Sequence, residues 1–169
     1  MNWSQKLYTY LDTHHIEYTY IEHIPVFTVS ESESVKHSIP GTHTKNLFLT
    51  DKSWWFILVT VEAHKRFPTN ALRRYMWLKN LSFWSAEQMM DQLHLTPGSV
   101  SLFWLIHASK EMKVYIDKSL RDADLVWRHP NSNDATLVLT HEMLEKFLDS
   151  TWHMYEVIDW DESEIIWEH

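Results

Sequence analysis

The polar run Thr42-His43-Thr44-Lys45-Asn46 is the stretch of this chain whose residue types could do chemistry. It follows the turn signal Pro40-Gly41 and runs directly into the apolar Leu47-Phe48-Leu49. A loop that carries an ammonium, an imidazole and an amide onto a rigid strand is suited to holding polar groups in place. On residue types alone, the alternative is a turn whose polar groups are merely solvated.

Other chemistries find less support. Two glycines cannot build a phosphate-cradling loop. Twelve histidines invite a metal reading, but there is no H-E-x-x-H helix. His14 and His15 are adjacent and cannot share one helical face. His43 and His129 lie far apart, with no third ligand placed beside them. No metal is therefore expected, and the histidines are read as hydrogen-bonded or surface groups. No serine sits in a nucleophile elbow. The chain has no Cys, which removes disulfides and thiolate chemistry and fits a cytoplasmic protein.

Charge is uneven along the chain. The net charge of -8 argues against a nucleic-acid partner. Residues 156–169, however, hold six acids and neither Lys nor Arg, whereas residues 34–86 hold eight bases against two acids, a local +6. That is enough for one basic face, unless these are only solvated surface charges. No run approaches the roughly 18 apolar residues of a membrane span. The N-terminus also lacks the basic start and apolar core of a secretory signal.

The elements that must position the polar run follow from periodicity. Ser4 is placed to cap a first helix with Leu7, Tyr8 and Leu11 on one face. Strands are expected at residues 16–21, 47–50, 55–61, 102–106, 112–117, 125–129, 135–139 and 154–158. Thr69 is read as the cap of a helix that buries Leu72, Tyr75 and Met76. Ser85, with Gln88 three residues on, reads as the capping box of a helix that buries Met89, Met90 and Leu93. Thr140 is placed to cap a helix running to about residue 148. Strands and helices mix without a clean βαβ alternation. The expected fold is α/β, a single domain with a mixed, partly antiparallel, barrel-like sheet and helices packed around it.

Several spaced blocks stand out along the chain. They are Pro25-Val26-Phe27-Thr28-Val29, the run from Gly41 to Leu49, Leu81-Ser82-Phe83 with Ser85-Ala86-Glu87, and Leu95-Thr96-Pro97-Gly98-Ser99-Val100-Ser101. Last come residues 114–120 and His129-Pro130-Asn131 with Asn133-Asp134-Ala135-Thr136. In this order the blocks resemble the prolyl-tRNA editing family, also called the YbaK/ProX family. The resemblance spans about residues 5–158, leaving residues 159–169 as an acidic tail. It implies a pocket for the aminoacyl ester at a tRNA 3′ end, and hydrolysis with no metal or other cofactor. Lys45 matches the family's functional lysine, and Asn46 stands beside it. Phe27, Thr28, Gly98, Ser99, Val100, Ser101, His129, Asn133, Ala135 and Thr136 match the pocket walls. Lys45, or backbone N–H groups at residues 98–100, could stabilise the oxyanion; Lys45 could instead hold the terminal ribose or phosphate. His129 could move a proton or only form the wall.

The wording of the blocks is closest to the branch that clears Ala from tRNA(Pro). The implied partners are the tRNA acceptor end and prolyl-tRNA synthetase, with Lys65, Arg66, Arg73 and Arg74 as the docking face. Departures from the family pattern are His107, where many relatives have Asn, and Phe67-Pro68-Thr69-Asn70, where relatives often have Asp and Lys after the arginine. A relative that binds tRNA or a synthetase without turnover, and a His-dependent metallohydrolase, are the competing readings.

Ten Trp against two Gly is an unusual ratio. Relatives usually carry Gly where this chain has Trp54, Trp77, Trp84, Trp104, Trp127 and Trp152. The expectation is that UGA codons meaning glycine in the source have been translated as Trp. The rival is a genuinely Trp-rich protein with a remodelled pocket.

Overall fold

A computed structural model describes residues 3–25, 39–51, 56–95 and 99–160. Phe27, Thr28, Gly98, Trp54 and the tail from residue 161 lie outside the described residues.

Among the described residues eight strands form one mixed sheet: β1 (Thr19–Glu22), β2 (Thr42–Thr50), β3 (Phe56–Glu62), β4 (Ser82–Phe83), β5 (Lys113–Asp117), β6 (Leu125–Arg128), β7 (Ala135–Thr140) and β8 (Tyr155–Ile158). Their order is β1-β7-β6-β2-β3-β5-β8, with β4 added to β2. Pairs β2/β6, β3/β5 and β5/β8 are parallel; the others are antiparallel. The mixed sheet expected from the sequence is present. Among the described residues it ends at β1 and β8 and does not close into a barrel. β3 is buried along its whole middle, as suits a Val/Ile-rich strand covered on both faces.

The helices are α1 (Trp3–Thr13), α2 (Thr69–Tyr75), α3 (Ala86–Leu93), a 3₁₀ helix (Leu102–Ile106), α4 (Lys118–Arg121) and α5 (His141–Thr151). One sheet face, with Leu58, Val114, Ile116, Val126, Leu137 and Leu139, packs against Leu7 and Leu11 of α1, the 3₁₀ helix, and Leu144, Phe147 and Leu148 of α5. The other face, with Leu49, Ile57, Val59, Val61 and Tyr115, is covered by Leu72 of α2.

The caps explain where several helices begin. Ser85 accepts from the Gln88 backbone while the Gln88 side chain returns to the Ser85 N–H, so the expected capping box is formed. Thr140 accepts from the Met143 N–H at 3.3 Å. The structure also departs from the sequence expectations. Residues 102–106 form a 3₁₀ helix, not a strand: the Ser101 hydroxyl accepts from the Phe103 N–H, and four successive side chains, Leu102 to Leu105, are buried. A strand with one solvent face would not bury four in a row. Ser4 lies inside α1, and its hydroxyl donates to the Pro130 carbonyl at 2.9 Å. Thr69 is the first residue of α2, which follows Pro68 without a side-chain cap. Met90 points to solvent. β2 begins at Thr42, so the polar run is strand and not loop.

Gly41 lets β2 start there. Its φ is +101°, and an added Cβ would sit 2.8 Å from both the Cβ and the carbonyl oxygen of Leu125. Trp77 and Trp152 also hold left-handed φ values, +56° and +57°, at the C-terminal ends of α2 and α5, and each is 84% exposed. Helix ends favour glycine in that conformation because a Cβ is strained there. Trp84, Trp104 and Trp127 are instead buried.

Candidate active site

The sheet is split alongside β2. β6 pairs with β2 at Thr42 and His43, and β4 pairs with it at Leu49 and Thr50. Among the described residues, positions 45–47 have β3 on one side and no strand on the other. β6 ends at Arg128, and the chain returns as β7 at Ala135. The loop of residues 129–134 therefore leaves the sheet where Lys45 and Asn46 stand. The β2/β6 pairing runs to His43 and Trp127, two residues before Lys45 on β2 and two before His129 just past the end of β6.

Successive strand residues point to opposite faces. Lys45 and Asn46 therefore straddle β2, and one ligand meets both only at the strand's open edge. The Lys45 ammonium donates to the Lys65 carbonyl. It is half-buried, and desolvation pushes its pKa below the ordinary lysine value. Lys65 in turn reaches the fully buried Asp117, Nζ to Oδ1 at 3.2 Å. The same carboxylate oxygen accepts from the Ser119 N–H at 3.0 Å and caps α4. On the other face, Asn46 Nδ2 donates to the Val100 carbonyl at 3.1 Å, tying β2 to the segment of Ser99, Val100 and Ser101, all buried.

His129 Nδ1 lies 3.1 Å from the Ala135 carbonyl. A carbonyl only accepts, so Nδ1 carries the hydrogen and Nε2 of the neutral ring keeps its lone pair. Burial pushes the His129 pKa down, with the nearby His23 adding to the shift, against smaller opposing effects of the Ala135 carbonyl and Asp134. His23 contacts the His129 ring edge-on at 6.0 Å, and its Nε2 lies 3.0 Å from the Thr136 hydroxyl. Ala135 and Thr136 are buried and Asn133 is half-buried. Trp127 stacks on His43 at 3.7 Å. Among the described residues no three His, Asp or Glu side chains group as metal ligands, and no helix is long and apolar enough to cross a membrane.

The basic residues divide. Arg66 and Arg74 are exposed; Arg73 is half-buried and donates to the Leu78 carbonyl at 3.3 Å; Lys65 is in the Asp117 ion pair. His107 packs against Trp3 and Trp104, at 4.5 and 5.0 Å between ring centroids.

Sequence reasoning misses Arg128. It is 1% exposed and lies on the same sheet face as Val126 and Leu137. Its Nη1 donates to the Thr60 hydroxyl at 2.7 Å. Burial brings its pKa down to about 9, so it is still charged at neutral pH. The available signal is an arginine ending an apolar strand, next to His129.

Residues 23–147 match the sequence pattern of the aminoacyl-tRNA editing domain, and the chain belongs to that family. It is 34% identical over 161 residues to the prolyl-tRNA editing protein ProX of Acetoanaerobium sticklandii, covering 94% of this chain and 98% of that one. It is 29% identical over 160 residues to prolyl-tRNA synthetase associated domain-containing protein 1 of Danio rerio, covering 93% and 87%. A solved structure described as that of a candidate trans-editing enzyme for prolyl-tRNA synthetase shares its fold, with a TM-score of 0.70, 17% identity, and 94% and 96% of the two chains covered.

Proposed function

We propose that this protein is a trans-editing deacylase that hydrolyses the aminoacyl ester of mischarged tRNA, with Ala-tRNA(Pro) as its substrate. The observation that carries this reading is the open edge of β2 at Lys45 and Asn46, beside which β6 ends, inside a domain of the editing family. Membership of that family supports the reaction class, and the side-chain arrangement supports the roles.

An aminoacyl ester is already activated, so the protein needs to place water and stabilise a tetrahedral oxyanion. Water adds to the ester carbonyl carbon as its proton passes to His129 Nε2. The tetrahedral intermediate then collapses, the ester C–O bond breaks, and the departing ribose oxygen takes the proton from His129. The products are the free amino acid and an intact tRNA 3′ end. Lys45, held by the Lys65 carbonyl, places positive charge at the open edge of β2; Asn46 holds the segment of Ser99, Val100 and Ser101 through the Val100 carbonyl. The chemistry as written draws on no metal. Steric exclusion of the larger proline ring accounts for sparing the correct product.

The test offers purified protein Ala-, Cys-, Ser- and Pro-tRNA(Pro). Rapid release of Ala with Pro retained is the expected result. Binding of tRNA with no release from any substrate would make the protein a binding relative instead. Preference for Cys or Ser would overturn the Ala assignment alone.

A further inference from the structure

An arginine buried in an apolar layer without a carboxylate is costly, and its spare donors call for an explanation. Arg128 presents this case: among the described residues Nε and Nη2 are both buried without an acceptor, while Nη1 is held by Thr60. Thr60 is the direct cross-strand partner of Asn46, so the two side chains share a sheet face. The guanidinium is thus anchored beside Asn46, at the open edge of β2. Asn46 Oδ1 is likewise buried without a donor. Unused donors and an unused acceptor therefore stand together on the face where Asn46 meets Val100.

The missing occupant must offer an acceptor to the guanidinium and a donor to the amide oxygen. An aminoacyl ester has both, a carbonyl oxygen and an α-amino group. We propose that Arg128 is a further catalytic residue, whose free Nε and Nη2 donors receive the ester carbonyl oxygen and the oxyanion it becomes, while Asn46 Oδ1 accepts from the α-amino group. The assignment rests on the deacylase reading and deepens it. In the step concerned, water's oxygen bonds to the carbonyl carbon, the carbonyl π pair moves onto oxygen opposite Arg128, and the proton leaves to His129. Collapse returns that pair and expels the ribose oxygen. A buried cation interacts more strongly with the full negative charge of the intermediate than with the neutral ester, so its effect falls on kcat.

The experiment measures single-turnover and steady-state release of Ala from Ala-tRNA(Pro) by wild type, Arg128→Met, Arg128→Lys and Arg128→Ala, the last with and without added guanidinium ion. Circular dichroism and thermal melting check each fold. The expected result is a loss in kcat of about 100-fold or more for Arg128→Met with KM nearly unchanged, a smaller loss for Arg128→Lys, and partial rescue of Arg128→Ala by guanidinium. Arg128→Lys keeps the charge and most of the volume, so it carries the test if the Met variant does not fold. Full activity in folded Arg128→Met or Arg128→Lys overturns the assignment and leaves the deacylase reading standing, as does a rise in KM with kcat unchanged. If wild type itself releases no amino acid from any charged tRNA, the deacylase reading fails and the role of Arg128 falls with it.

Discussion

Replacing Trp77 and Trp152 with Gly should stabilise this protein, although each exchange removes a large aromatic side chain. Both residues hold φ near +56°, and both are 84% exposed. A left-handed conformation costs a residue with a Cβ roughly 1–2 kcal/mol. Glycine removes that cost but gives the unfolded chain more freedom, worth about 0.5–1 kcal/mol. The net gain is roughly 0.5–1 kcal/mol at each position, since little indole surface is buried there. The sites end separate helices, so the gains should add to about 1–2 kcal/mol. At about 2–4 °C per kcal/mol for a chain of this size, Tm should rise by about 2–8 °C in the double variant. Thermal unfolding followed by circular dichroism reads the shift. Trp127→Gly is the internal control: its indole is 2% exposed, and losing it should cost about 3–5 kcal/mol. A double variant less stable than the parent would refute the strain argument. Peptide mass spectrometry of the protein from its own source decides whether glycine already occupies these positions, and Trp at all six would end the recoding explanation.

Lys45→Ala should lower turnover by about 100-fold or more while leaving the melting curve nearly unchanged, because the ammonium is only half-buried; unchanged single-turnover rates would remove Lys45 from the chemistry. Arg73→Glu with Arg74→Glu should weaken tRNA binding and reduce the slope of log affinity against log salt by about 1 for each phosphate no longer neutralised. The same pair should leave hydrolysis of a short aminoacyl-nucleotide mimic intact, and an untouched salt slope would place the tRNA elsewhere. His129 has a depressed pKa, so its neutral, proton-accepting form is present above that pKa. Turnover should therefore be flat around neutral pH and fall on acidification below about 6.5, the ordinary histidine value. A fall centred above that value would argue against His129 as the base.

Strand and helix periodicity makes much of the fold legible. The buried β3, the Ser85 capping box and the Thr140 cap follow from local pattern. Residues 102–106 escape it because an apolar run of five fits a buried strand and a buried 3₁₀ helix alike; the Ser101 cap decides between them. The polar run reads as a loop because a strand is expected to alternate, and Lys45-Asn46 breaks the alternation. The pair makes sense only at an open strand edge, which is a property of the whole sheet. The Lys65–Asp117 ion pair and the Thr60–Arg128 hydrogen bond join residues 52 and 68 positions apart. No local spacing rule reaches that far. Lys65, a tRNA-docking residue on the sequence reading, is in the structure the lysine whose carbonyl holds Lys45.

The most direct measurement is the rate of amino acid release from Ala-tRNA(Pro) and Pro-tRNA(Pro) by the wild-type protein, compared with the uncatalysed rates under the same conditions. The proposed function predicts fast release of alanine, loss of that rate in Lys45→Ala, and proline left on its tRNA. Release of neither amino acid by correctly folded protein, with Cys- and Ser-tRNA(Pro) equally untouched, would contradict the deacylase reading.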